Sequence, residues 1–227
     1  SHSVENINLL EDDAVKSFVG EYRPENYLLK HDNPLAVGPY GVSAYYMEAK
    51  MAQAQAMVNA KQVILDVGKR FGALSGRSYG LFEAYRMEDA EEAIVLIGSS
   101  AGTARVCVDT LRKAGRKVGM IKLRVYRPFP GEELAEALKH VKAVAVMDKC
   151  ESYSTHGGPL GAELRSALYD AQVYPLLINF VYGLGGRDFA VTDCESVFNA
   201  LDEALDKGSA KPVYRHLGQR GGDLYGL

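Results

Sequence analysis

The apolar positions of this chain fall into two regimes. Between residues 44 and 71, Met47, Met51, Ala54, Met57, Ala60, Ile64, Val67 and Phe71 recur at spacings of three and four. That spacing predicts one long helix, Ala44 to about Phe71 with Ser43 as its cap, carrying a single apolar stripe. A stripe of Met and Ala is the composition of a packing seam, because Met fills irregular gaps. From Glu91 onward the apolar residues instead come in short unbroken blocks, such as Ala93-Ile94-Val95-Leu96-Ile97, Ala143-Val144-Ala145-Val146-Met147 and Leu176-Leu177-Ile178-Asn179-Phe180-Val181. Blocks of this length predict strands buried on both faces. Strands are expected at 92–97, 117–124, 143–147 and 176–181. They alternate with helices at about 102–114, 131–140, 159–170 and 193–206, the last capped by Thr192. Strand–helix alternation of this kind makes an α/β fold, a mostly parallel sheet with helices on both faces.

The remaining segments lack either period. Residues 1–43, with Pro24, Pro34, Pro39, Gly38 and Gly41, read as an extended arm. The opening Ser1-His2-Ser3-Val4-Glu5 reads as tag residue or as the cut end of something longer. Tyr79 to Asp89 reads as a polar connector closing the 44–90 segment. The α/β domain occupies 91–207, and the glycine-rich tail 208–227 reads as a strap or a partly disordered end.

Composition narrows the classes. With 227 residues the chain buries enough surface to fold without a staple. A net charge of −3 and the lack of a basic stripe argue against nucleic acid as partner. The apolar runs are too short to span a bilayer and no signal peptide opens the chain, so the expected location is the cytoplasm. The three cysteines, Cys107, Cys150 and Cys194, stand apart in sequence with no C-x-x-C pair, which excludes a cluster or zinc framework from this chain alone. They read as quiet thiols of a reducing compartment, with Cys150, just past a strand end, the one to watch.

Candidate chemistry gathers at three glycine turns after strands, where α/β sheets place ligands. In Gly98-Ser99-Ser100-Ala101-Gly102-Thr103, the residues Ser99, Ser100, Gly102 and Thr103 could hold an anion at a helix start, or simply cap that helix. The second turn, Ser154 to Pro159, carries His156, Gly157 and Gly158. A histidine there could exchange protons only if folding brought Asp148, Glu151 or Cys150 to it, so loop or interface contact is the leading reading. The third, Gly183 to Asp188, ends in Arg187 and Asp188, a pair suited to tying a loop or an interface. Lys122, Arg124, Tyr126 and Arg127 form a basic aromatic cluster, read as a solvated strand edge or, alternatively, a landing for an acidic loop or phosphate. No metal-ligand, P-loop, dinucleotide or nucleophile-elbow motif occurs, and Gly221-Gly222-Asp223 has the wrong order for a thiamine diphosphate–Mg²⁺ motif. No residue is assigned a catalytic or metal-binding role.

Several strings in order resemble one family: Val95 to Ala104, Lys122-Leu123-Arg124-Val125-Tyr126-Arg127-Pro128-Phe129-Pro130, Gly157-Gly158-Pro159-Leu160 and Gly183-Leu184-Gly185-Gly186-Arg187-Asp188. Phe18 to Tyr22, Gly38-Pro39-Tyr40-Gly41 and Tyr45-Tyr46-Met47-Glu48 extend the match upstream. The chain is similar to the C-terminal portion of the α subunit of pyruvate:ferredoxin oxidoreductase and related 2-oxoacid:ferredoxin oxidoreductases. The resemblance implies a transketolase-C-terminal-like domain at 91–207, preceded by the end of a thiamine-pyrimidine-binding domain. It also implies a role in converting a 2-oxoacid, pyruvate first, to acyl-CoA, CO₂ and reduced ferredoxin. Thiamine diphosphate, Mg²⁺, iron–sulfur clusters and CoA would serve the whole complex and none would be bound by this chain alone. A thiamine-binding β subunit, γ and ferredoxin-like δ subunits, and ferredoxin are the implied partners, with this chain as scaffold and interface. His156 departs from the small residues of that loop in the family and takes no role. A stand-alone module holding an anionic metabolite at Gly98–Thr103, or a transketolase-like relative acting on sugars, stays open as an alternative.

Overall fold

A computed structural model describes residues 7–35, 38 and 40–220. The opening Ser1 to Glu5 and the tail string Gly221-Gly222-Asp223 lie outside them. The chain divides into two units, Ser1–Tyr79 and Gly80–Leu227.

The first unit is built on helices. Within the segment expected to be an extended arm, Asp12–Val19 forms helix α1, with Asp12 and Asp13 in the first turn where acidic charge suits the helix dipole. Helix α2 runs over Tyr46–Ser75, two residues later in its start and four later in its end than the stripe predicts. It ends where Gly76 turns left-handed at φ 71°. At 30 residues it is about 45 Å long. None of its residues is buried. From Ala60 onward its stripe is half-covered at Ala60, Ile64 and Phe71 but exposed at Val67: Phe18 meets Phe71 edge-on at 6.0 Å and Tyr79 lies 5.8 Å from the same ring. Met47, Met51 and Met57, the earlier half of the stripe, stand exposed.

The second unit is a six-stranded sheet. Its strands are β1 (Phe82–Tyr85), β2 (Glu92–Ile97), β3 (Val118–Leu123), β4 (Ala143–Asp148), β5 (Leu176–Val181) and β6 (Tyr214–His216), ordered β1-β3-β2-β4-β5-β6. All neighbours pair in parallel except β1, which runs antiparallel to β3. Helices α3 (Ser100–Lys113), α4 (Gly131–Leu138), α5 (Pro159–Asp170) and α6 (Val191–Lys207) alternate with the strands. The two-residue period of the strands divides the core. Ile94, Leu96, Met120, Ala145 and Ile178 face α3 and α6, while Val95, Ile121, Val144, Val146 and Leu177 face α4 and α5.

Three expectations are corrected. The polar connector contains β1, whose Phe82 and Tyr85 pack on the two cores while Glu83 pairs with Arg124 at 2.6 Å. The tail contains β6, paired with β5 from Asn179 to Val181. Thr192 lies inside α6, and the helix start is held instead by Asp193, whose Oδ2 accepts from the Ala190 N–H at 2.8 Å. Edge strands of three or four residues with charged members carry too little apolar signal to be read from pattern.

Candidate functional site

Strand order reverses between β2 and β4: the chain leaves β2 for β3 on one side and returns to β4 on the other. At such a switch point the loops beyond the carboxyl ends diverge and leave a crevice. A cavity of about 370 Å³ lies there. Its walls include Ile97 at the end of β2, Met147 and Lys149 at the end of β4, Tyr126, Leu160 and Tyr182.

Beside the cavity the second glycine turn is locked by two buried polar side chains. Asp148, the last residue of β4, accepts from the Leu160 N–H at 2.9 Å and the Gly161 N–H at 3.0 Å, so its carboxylate closes the start of α5. Asn179, fully buried in β5, donates to Asp148 Oδ2 at 2.8 Å and to the Val146 carbonyl at 3.0 Å. Its amide oxygen accepts from the Gly158 N–H at 2.7 Å. A methyl on Gly161 would lie 2.5 Å from Asn179 Cγ, and one on Gly158 would collide with the Asp148 carboxylate. Gly157, at φ 95°, is buried against Asn179. Gly157 and Gly158 therefore admit the lock, while His156 points outward and is exposed.

At the first turn, Gly98 takes φ 82° and the chain enters α3 with no side chain capping it. Ser99 and Gly102 are exposed, Thr103 is half-buried, and Ser100 is buried with its hydroxyl on that of Tyr182. Burial pushes the Tyr182 phenol up, against the Ser100 hydrogen bond. The ring lies edge-on to Phe189 at 5.0 Å, and Lys149 Nζ sits 5.4 Å from its centroid.

The third turn holds the tail. Arg187 donates to the Gly218 carbonyl, Asp188 is exposed, and the Leu217 N–H reaches the Val181 carbonyl at 2.9 Å. Glu151, one of the three residues that folding would have had to bring to His156 for proton exchange, binds β6: its carboxylate accepts from the Tyr214 hydroxyl and lies 2.8 Å from His216 Nε2. Hydrogen bonds from Tyr214 and His216 hold the Glu151 carboxyl below its ordinary range.

The basic cluster is not a strand edge, because β1 covers β3. Arg124 pairs with Glu83, and Arg127 lies over the Tyr126 ring at 4.4 Å and pairs with Glu163 at 2.6 Å. Cys150 is exposed beside the cavity, its thiol donating to the Glu151 carbonyl at 3.4 Å. Cys107 of α3 and Cys194 of α6 are buried. The contact with Cys107, and then burial, push the Cys194 thiol far above the ordinary range. Among the described residues no three His, Cys, Asp or Glu side chains converge on a metal position, and no helix is long and apolar enough to cross a membrane. Sequence reasoning missed Asn179; its trace was an amide inside an otherwise apolar run.

Residues 90–194 match the family model described as pyruvate:ferredoxin oxidoreductase core domain II. Pyruvate synthase subunit PorA of Thermotoga maritima is 40% identical over 220 residues, which are 97% of this chain and 55% of that protein. Ketoisovalerate oxidoreductase subunit VorA of Pyrococcus horikoshii is 39% identical over 209 residues, 92% of this chain and 53% of that one. The chain thus spans about half the length of these curated relatives. A solved 2-oxoglutarate:ferredoxin oxidoreductase from Magnetococcus marinus is similar at 20% identity and a TM-score of 0.43, over 60% of this chain and 21% of that one.

Proposed function

We propose that this chain is a scaffold and subunit-interface component of a 2-oxoacid:ferredoxin oxidoreductase, a reading supported by the match of residues 90–194 to the pyruvate:ferredoxin oxidoreductase core domain II model. The reaction of the assembly is 2-oxoacid, CoA–SH and two oxidised ferredoxins to acyl-CoA, CO₂, two reduced ferredoxins and a proton. Pyruvate is the first substrate to test, with branched-chain 2-oxoacids next, since relatives named for either stand at 40% and 39% identity.

The observation that carries the non-catalytic role is Asp148. It is the acid at the carboxyl edge best placed for chemistry, yet its oxygens are engaged by two α5 amides and by Asn179. A carboxylate so held serves as the cap of α5. The described residues do not fit thiamine diphosphate with Mg²⁺ or an iron–sulfur cluster: among them no three His, Cys, Asp or Glu side chains converge on a metal position, and Cys107 and Cys194 are sealed between α3 and α6. In this proposal a thiamine-binding subunit and cluster-bearing subunits supply those groups. This chain supplies the rigid sheet and the uncovered N-terminal half of α2.

Co-expression with the neighbouring subunits tests the reading. Expected is a stable complex that reduces ferredoxin when given pyruvate and CoA, with the chain alone inert. Decarboxylating turnover or stoichiometric retention of thiamine diphosphate by the isolated chain would overturn it.

A further inference from the structure

The crevice at the switch point has a composition suited to a small ligand. Most of its lining is apolar, and two aromatic rings, Tyr126 and Tyr182, reach it from different loops. Ile97, at the end of a strand otherwise buried, is 43% exposed there. Asp148 is the only acid among the described lining residues, and its oxygens face α5 amides and Asn179. Lys149 is the only base among them, and it is exposed, with its ammonium against the Tyr182 ring. The cavity thus presents an aromatic and aliphatic interior with one cation at its lip. A volume of about 370 Å³ matches a ligand of one ring and a short substituent. We propose that this crevice binds a small aromatic anion, its ring against Tyr126, Tyr182 and Ile97 and its carboxylate or phosphate on Lys149. Desolvation of the ring supplies most of the affinity, and the cation selects the charged form.

Cys150 gives a local readout, since it lines the same cavity and is exposed while Cys107 and Cys194 are buried. The full chain is treated with iodoacetamide, and Cys150 alkylation is followed by mass spectrometry with and without 4-fluorophenylacetate. A site with a Kd of about 1 mM slows the reaction about 10-fold at about 10 mM probe. The neutral 4-fluorobenzyl alcohol should protect less, and Lys149→Gln should weaken protection by the acid about 3-fold while leaving that by the alcohol unchanged. The ratio with and without probe cancels any effect of the substitution on the thiol itself. No protection by the acid, equal protection by the alcohol, or protection unaltered in Lys149→Gln each overturns the proposal. The measurement uses this chain alone, so it is read independently of whether the oxidoreductase complex assembles.

Discussion

Asp148 Oδ2 lies 2.8 Å from Asn179 Nδ2, and through that contact two adjacent strands share one helix start. The pair is buried, with Asp148 5% and Asn179 0% exposed, so each polar atom depends on its partners. Asp148→Ala strips the Leu160 and Gly161 N–H groups of their acceptor and leaves the Asn179 amide short of one. A loss of about 2–4 kcal/mol is expected in urea unfolding, with the secondary structure retained. A change below about 0.5 kcal/mol would show that water replaces the carboxylate without cost.

Gly161 sits within α5, where alanine would ordinarily stabilise a helix by about 1 kcal/mol. Here the added methyl lies 2.5 Å from Asn179 Cγ, so Gly161→Ala should destabilise by about 1–3 kcal/mol. In an Asn179→Ala background the collision is gone. The same substitution there should cost at least about 1 kcal/mol less, a coupling that a double-mutant cycle reads directly.

Glu92 shares one guanidinium with a second acid: Arg116 lies 2.9 Å from Glu92 and 2.6 Å from Asp202. Burial, opposed by Arg116 and reinforced by Asp202, raises the Glu92 carboxyl to about 7. The short contact to Arg116 alone suggests a contented ion pair. The raised value is the better guide, because Glu92 is nearly enclosed and its cation is divided between two carboxylates. The folded state then holds a proton that the unfolded chain releases near the ordinary glutamate range. Stability attached to this group is fully present below about pH 4.5 and declines as pH rises towards about 7. Glu92→Gln should flatten that decline, and a melting temperature as pH-dependent as that of the parent over this window would count against it.

Glu151 anchors β6 through Tyr214 and His216. Its carboxyl is held below the ordinary value, so this support is present above about pH 4.5 and fades as pH falls through the lowered value. Glu151→Gln should speed hydrogen exchange at 214–217 several-fold at neutral pH while leaving β4 and β5 protected. Uniform exchange across the sheet would contradict a local role.

Met47 and Met51 are 69% and 63% exposed on a helix with no buried residue. Met51→Lys should therefore shift the unfolding of the isolated chain by no more than about 0.5 kcal/mol. Its effect should appear as weakened association with the other subunits of the proposed complex, measured by co-purification. Retained assembly would place the subunit contact elsewhere.

What could be read in advance follows from burial geometry. The blocks 92–97, 143–147 and 176–181 coincide with β2, β4 and β5 to within a residue, because strands covered on both faces leave no alternation to confuse. β1 and β6 stayed hidden, since Glu83 interrupts the first and Tyr214-Arg215-His216 reads as polar tail. The three glycine turns were visible, but not their cause. Asp148, Asn179 and Gly161 are separated by up to 31 residues and meet only when β5 lies beside β4. The pairing of Glu151 with His216 rather than His156 likewise spans 65 residues and depends on β6. The methionine stripe was legible as an apolar helix face, while its exposure in the N-terminal half of α2 was not, because periodicity marks a surface without naming what lies upon it.

That uncovered span of α2 has a bearing on abundance in the cell. In the proposed complex, a chain made in excess of its companions would leave these greasy, solvent-facing turns open to quality-control proteases. Surplus copies would then be culled and matched copies spared, so that turnover itself would balance the subunits. Pulse-chase half-lives that are equal with and without co-expressed companions would rule out such housekeeping.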